Sequence, residues 1–411
     1  MLTNKEIPPT AGLPMIWRDF LPQHANLTQL LTQHLALPNP QLTCSGTAAL
    51  IVILLTLSKK STRKNVIIPA YTCPLVSIAI HYCGLNVQLC DLASNHFDFD
   101  FTQLSDLVDD NTLAIIPTHI GGRIVDVSAA AQIADKVGAY VIEDAAQSLG
   151  ATMGNKAVGL RGDAGFFSLA VGKGLTTFEG GVLVSKHPHL QKEFNILGRD
   201  LLKNNRWREF QRSIQLCAYF ALYRPHTLTY AYGMPFRKSV NRNDWINAVG
   251  DYFSTNIPLH TLGRWRQKRA GHALERLPEL LRLTQLQALT RVEKLKAING
   301  LHVYTDPHHK NSPHEARGIW PVIMVSLPSQ SLRDKALKLL IPMQLGVSRM
   351  FIDSIGNYDY LKIRLAKSLM SNFPTSNANS FAARTLTISN SLWLSDEQFS
   401  KIIVGLTTIL S

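Results

Sequence analysis

The chain has 411 residues, 45% apolar and 17% charged, a composition that suits a folded protein with a large buried core and excludes a disordered one. Its net charge of +13 favours anionic partners, yet the basic residues are dispersed and carry no zinc-finger, basic-zipper or RNA-recognition signature, so a nucleic-acid role is not expected. No stretch reaches the roughly 18 uninterrupted apolar residues of a spanning helix, the opening MLTNKEIPPTAGLP lacks the apolar centre of a secretory signal, and Cys44, Cys73, Cys83, Cys90 and Cys217 form no CxxC pair. A cytoplasmic protein with reduced thiols and no metal site is the expectation.

Along the chain, from about residue 45 to 185, short apolar runs alternate with helical patterns. NVIIP (65–69), NVQLC (86–90), LAIIP (113–117), AYVIE (139–143), GFFSL (165–169) and GGVLV (180–184) are predicted strands; 47–59, 73–83 and 126–137 are predicted helices. Unbroken Val/Ile/Leu runs imply strands buried on both faces, and the alternation implies crossovers: an α/β domain with a mostly parallel sheet. From 187 to 260 the pattern turns helical, aromatic and basic. Within it, QLCAYFALYRPHTLTYAYGMPF (215–236), flanked by Arg206, Arg208 and Arg212 and by Arg237 and Lys238, is structurally an insertion packed on the main domain; covering the active site or touching a membrane surface are its functional readings. Residues 272–299 carry apolar residues at helical spacing after Pro278, which predicts a long helix connecting the two domains; WPVIMVSL (320–327) is a predicted strand and SLRDKALKLLIP (331–342) a predicted helix. A last helix starts behind Ser395 as its N-cap, with Glu397 in the first turn. The expected division is a large domain over 1–260, including the insertion at about 187–260, and a connecting helix with a smaller α+β domain over 261–411.

Four segments carry candidate chemistry. In TCSGTAAL (43–50) a small-residue turn opens a helix, directing N–H groups and the helix dipole at an anion; Gly46 permits close approach, and Ser45 and Thr47 add hydroxyls. An ordinary helix cap explains the same residues. In AYVIEDAAQSLGA (139–151) a strand ends at Glu143-Asp144, where Asp144 can hold a pyridine nitrogen protonated and Gln147 can reach a ring oxygen; alternatively Asp144 is an N-cap. In GDAGFFSLAVGKGLTTFEGGVLVS (162–185) a turn after Ser168 presents Lys173. A lysine is a nucleophile only as the neutral amine, so it needs burial or nearby cations to lower its pKa. His119, in PTHIGGR (117–123), either lines the same pocket or is a structurally bonded loop histidine.

SGTAAL, EDAAQSLGA and GD…FSL…K…LTT.EGG, in this order, with 29 positions from Asp144 to Lys173 and five from Ser168 to Lys173, resemble the DegT/DnrJ/StrS group of sugar aminotransferases. The resemblance runs from about 43 to 185 and continues more weakly at RLTQLQALTRVEKL (282–295). It implies a fold-type I architecture dependent on pyridoxal 5'-phosphate (PLP), with a seven-stranded-type sheet, and a homodimer with active sites at the subunit boundary. It also implies transfer of an amino group, usually from L-glutamate, to a nucleotide-linked keto-deoxy sugar in polysaccharide or glycoside biosynthesis. On that resemblance Gly46, Thr47 and Ser168 contact the phosphate, Asp144 pairs with the ring nitrogen, Gln147 approaches the ring oxygen and Lys173 is the Schiff-base lysine.

Three features depart from the group. Cys73 stands where members place a ring-stacking aromatic, with Tyr71 as a nearby substitute. Leu280 stands two residues before Arg282, where members carry an Asn that reaches the neighbouring subunit's phosphate. The 187–260 insertion has no counterpart. Two other functions stay beside the leading one: a PLP-dependent sugar dehydratase, which in this group replaces the lysine by histidine, and a non-catalytic relative that binds a sugar nucleotide or a partner.

Overall fold

Each of the seven predicted strands forms, within two residues of its expected bounds, in the computed structural model of the protein, which describes residues 5–21, 26–306, 316–370 and 373–411. Residues 1–4 of the opening segment, read as lacking a secretory signal, lie outside the described residues. In chain order the first strands are β1 (Gln41–Thr43), β2 (Asn65–Pro69), β3 (Asn86–Cys90), β4 (Thr112–Ile115) and β5 (Tyr140–Asp144). A small hairpin, β6 (Thr152–Met153) and β7 (Lys156–Ala157), precedes β8 (Ala164–Ser168) and β9 (Gly181–Val184). The later strands are β10 (His302–Val303), β11 (Ala316–Arg317), β12 (Val322–Ser326), β13 (Val347–Ser348), β14 (Leu369–Met370) and β15 (Thr385–Ser389).

The main sheet has eight strands in the order β1-β9-β8-β5-β4-β2-β3-β14. Every neighbour pair from β14 to β8 is parallel, and only β8–β9 and β9–β1 are antiparallel. The fold is thus α/β of fold-type I, with one strand more than the seven expected, because β14 returns from the C-terminal part to pair with β3. Helices α1 (Leu27–Leu35), α2 (Gly46–Ser58), α3 (Pro74–Tyr82), α4 (Phe101–Leu107) and α5 (Val127–Asp135) lie in this half. Nearly every residue of α2 from Ala48 to Leu57 is buried, which is why this helix reads as a continuous apolar run rather than a stripe.

The 187–260 segment is helical, as expected: α6 (Pro188–Leu201), α7 (Arg206–Leu222), α8 (Pro225–Leu228), α9 (Met234–Asn241) and α10 (Trp245–Val249). The long helix expected after Pro278 forms as α12 (Leu277–Lys296), and a separate helix, α11 (Arg264–Leu274), precedes it. Pro278 explains the break between them, since a proline is tolerated in the first turn of α12 but not inside a continuous helix. A second sheet, β10-β12-β15-β13, is antiparallel. It packs with α13 (Gln330–Leu340) and α16 (Asp396–Leu410), while α14 (Asp359–Arg364) and α15 (Ser376–Arg384) bury Leu361 and Phe381 in the core of the main sheet. Leu337 and Leu340 of α13 share a core with Phe399, Ile402 and Leu406 of α16. Ser395 does cap α16, and Gln398 completes the capping box. Among the described residues no helix is long and apolar enough to cross a membrane.

Candidate active site

A cavity of about 580 Å³ opens beyond the carboxyl ends of β2, β4, β5 and β8, where parallel sheets gather ligands. All seven residues singled out for cofactor contact, Gly46, Thr47, Cys73, Asp144, Gln147, Ser168 and Lys173, line it, and His119 does too. They arrive from separate places: Gly46 and Thr47 from the start of α2, Cys73 from the start of α3, Asp144 from the end of β5 and Ser168 from the end of β8.

Each is held by local chemistry. Ser45 caps α2 by accepting the Ala48 N–H at 3.0 Å, and the first backbone bond runs from Ala49 N–H to Ser45 O. The N–H groups of Gly46 and Thr47 therefore precede the helix ladder and face the cavity end. A Cβ on Gly46 would stand 3.2 Å from the Ser168 Cβ, so helix start and strand end close into one small cup. Gly181 permits the same approach from β9: a Cβ there would meet the Ser45 carbonyl oxygen at 2.2 Å. Lys173 sits between Gly172 and Gly174, with φ of +81° and +82°, values that glycine adopts freely and that form the tight turn behind β8. The Leu13 N–H donates to the Gly174 carbonyl at 2.8 Å and fixes this turn to the N-terminal segment.

Burial dominates the electrostatics. It pushes the Asp144 carboxyl up to about 6, against the Ala146 N–H that it accepts at 3.0 Å and against the charge of Lys173. Burial pushes the Lys173 amine down, opposed by Cys73, Asp144 and Asp251. Successive strand residues point to opposite sides, so Asp144 enters the cavity while Glu143 turns away to accept N–H groups of Gly159, Arg161 and Gly162 at 2.8, 2.5 and 2.7 Å. Burial alone would raise Glu143, but His119 and those N–H groups prevail and hold it low.

His119 turns out to be both wall and strut. Its Nδ1 accepts the Val125 N–H at 3.3 Å, which places the ring proton on Nε2, donated to Glu143 at 3.2 Å. Gln147 Oε1 accepts the Gly121 N–H at 2.7 Å, leaving its amide nitrogen as the donor to the cavity. Cys73 lines the cavity as expected, and burial pushes its thiol up to about 12. Tyr71 does not substitute for the missing aromatic. It is buried against Phe351 and Phe381 with its hydroxyl donating to Phe351 O at 3.1 Å. Leu280 is buried in the core and Arg282 is exposed, paired with Glu279 at 2.7 Å on the surface of α12.

Sequence reasoning missed part of the wall. Asp251, just after α10, is buried, accepts Tyr358 Oη–H at 2.6 Å and the Ile352 N–H at 2.9 Å, and interacts with Lys173. Arg349, just after β13, lines the cavity with its guanidinium donating to Ile352 O and, at 3.4 Å, to Ala382 O; among the described residues it has no ion pair. Arg212 of α7 lines it too, paired with Glu179. The insertion thus closes one side of the cavity. No local motif marks these residues, since each acts through a contact with a segment remote in sequence.

The donor set fits PLP: a helix start with two free N–H groups and a serine for the phosphate, a buried carboxyl for the ring nitrogen, an amide donor for the ring oxygen and an amine. The family model for the DegT/DnrJ/EryC1/StrS aminotransferase family matches residues 22–232. The chain belongs to that family. A GDP-perosamine synthase of Caulobacter vibrioides is 32% identical over 164 residues, covering 40% of this chain and 44% of that one. The chain spans less than half the length of the curated relatives it matches first. Among solved structures, the PLP form of a putative sugar aminotransferase from Streptococcus pneumoniae has a TM-score of 0.73 at 18% identity, covering 98% of both chains. An E. coli GDP-4-keto-6-deoxy-D-mannose-3-dehydratase with bound hydrated PLP has a TM-score of 0.67 at 18% identity, covering 94% of this chain and 90% of that one. At such identities the likeness shows the fold.

Proposed function

We propose that the protein is a PLP-dependent aminotransferase that moves an amino group, with L-glutamate as donor, onto a nucleotide-linked keto-deoxy sugar used for polysaccharide or glycoside biosynthesis. The observation that carries this reading is the convergence of Lys173, Asp144 and the Gly46–Thr47–Ser168 cup on one cavity. Bound there, the cofactor supplies an aldehyde that bonds an amine and a ring that stores the electrons of a broken C–H bond.

The chain's own residues do the rest. The first N–H groups of α2 and the Ser168 hydroxyl hold a phosphate by hydrogen bonds and helix dipole. Asp144, buried beside a protonated ring nitrogen, ionises and keeps the proton on that nitrogen. Lys173, shifted toward its neutral amine, would hold the cofactor's aldehyde carbon through Nζ and, once freed from it, would take up at Nζ the proton that leaves the donor's α-carbon. Arg349, a cavity-wall guanidinium without an ion pair among the described residues, is the group for a donor carboxylate. Lysine at 173, rather than histidine, supports amine transfer over water loss. We also propose a homodimer in the cytoplasm, with the two parts of each chain dividing near residue 260.

The test is to load the purified protein with PLP, add glutamate alone and then a keto-sugar nucleotide, and follow the visible absorption band and product mass. Loss of the band on glutamate and its return on the sugar, with gain of an amine, is expected. A protein that takes up no PLP, or a product that has lost water, overturns the proposal.

A further inference from the structure

Helix α7 has two faces with different fates. Leu216 and Tyr219 are buried and Arg212 reaches the cavity, so the inner face is spoken for. On the outer face Trp207, Phe210 and Ile214 are 66%, 56% and 53% exposed, and Cys217, Ala218, Ala221 and Leu222 continue the stripe at the same three- and four-residue spacing. The Trp207 and Phe210 rings stack on each other, with centroids 5.9 Å apart. A soluble surface rarely leaves an apolar stripe of this length uncovered unless something docks on it.

The charge around the stripe selects the occupant. Lys203 and Arg206 are exposed at the start of α7, and Arg264 and Lys268 are exposed on the neighbouring α11. Across α7 and α11 the one carboxylate is Glu209, and it is consumed internally: it pairs with Arg266, lies 3.2 Å from His260 and accepts the Gly263 N–H at 2.8 Å. That same contact ties the start of α11 to α7. Lys203, Arg206, Arg264 and Lys268 form no ion pair among the described residues, and neither α7 nor α11 exposes a carboxylate beside them.

We propose that the outer face of α7 docks in the plane of an anionic lipid bilayer, with Trp207, Phe210 and Ile214 entering the headgroup–acyl boundary and Arg206 and Arg264 meeting lipid phosphates. A second copy is the poorer occupant, because α7 and α11 expose no carboxylate to meet the cations of a facing copy. Nucleic acid would use the cations and leave the apolar stripe exposed. The inference is independent of the amine-transfer reading. Its consequence is that the helix supplying Arg212 to the cavity is also the helix seated on lipid.

Flotation of the full-length protein with vesicles of phosphatidylglycerol and phosphatidylcholine, against phosphatidylcholine alone, tests this. Wild type is expected to float with the anionic vesicles only. Trp207→Gln/Phe210→Gln/Ile214→Gln and Arg206→Glu/Arg264→Glu are expected to stay in the soluble fraction with unchanged thermal midpoints, each reversed charge lowering partition by roughly fivefold or more. Should the glutamine variant fail to fold, quenching of wild-type tryptophan fluorescence by brominated anionic lipid reads the same contact, and no quenching overturns the proposal. So does wild type that stays soluble, floats equally with neutral vesicles, or floats as well after either set of substitutions. A glutamine variant that instead sediments as a smaller species than wild type would assign the face to contact between copies, and also overturn it.

Discussion

Burial drives Lys173 and Asp144 toward the same condition from opposite ends of the pH scale: each is pushed toward its uncharged form. For Asp144 this has a stability sign. The folded, cofactor-free protein keeps that proton up to about pH 6, whereas an unfolded aspartate loses it near pH 4, so the folded state binds more protons in between and stability falls as pH rises through that window. Asp144→Asn should therefore make the cofactor-free protein about 1–3 kcal/mol more stable than wild type at pH 8, with the difference gone near pH 4. Amine transfer should fall about a hundredfold or more in the same variant. Melts at the two pH values and a rate assay check both. Glu143 has the opposite sign: its contribution is present above the ordinary carboxylate range and lost as pH falls through its lowered value. Glu143→Gln should cost about 2–4 kcal/mol by stranding buried N–H groups, read by urea denaturation. Cys73, with its thiol pushed up to about 12, should resist alkylation at neutral pH until the protein unfolds, while exposed Cys217 reacts; timed mass mapping distinguishes them. Most of these side chains were legible because each sits within a few residues of a strand end. Asp251 and Arg349 were not, because their meaning comes only from what faces them, and Tyr71 misled because an aromatic near a strand end can serve the core instead.

The elements were readable where burial on both faces leaves an unbroken apolar run, as in β2 and in α2, every residue of which between Ala48 and Leu54 is buried. β1 and β14 were invisible for the converse reason. They are three and two residues long, and a pairing partner rather than a pattern defines them. The start of α12 was legible at Pro278, which a helix tolerates in its first turn, whereas α11, rich in basic residues, offered no apolar run to read. Close approach of elements is testable at Gly181, where β9 touches the Ser45 carbonyl. Gly181→Ala must displace the start of α2. PLP affinity should drop about tenfold or more, at a cost of roughly 1–3 kcal/mol in stability, by cofactor titration and thermal melting.

Across the whole molecule, the cavity is a meeting of segments that lie far apart in the chain. Its walls come from the N-terminal segment at Pro9 and Thr10, the main sheet, the helical insertion and the segment after β13. The N-terminal segment also bonds the C-terminal half, with Ile7 N–H donating to Gln344 O and Ala11 N–H to Pro321 O. A ligand in such a cavity meets four separate parts of the chain. PLP at a hundred times its dissociation constant should raise stability by about 2.7 kcal/mol, and a melt that does not move with PLP would place the ligand elsewhere.

The central claim is that the amine at 173 and the acid at 144 serve one bound cofactor. The most direct measurement is the absorption spectrum of PLP-loaded protein before and after glutamate is added without an acceptor. Wild type should lose its visible band in proportion to active sites, and Lys173→Ala should show no such conversion. An unchanged wild-type spectrum with cofactor bound, or equal conversion by the alanine variant, would contradict the account.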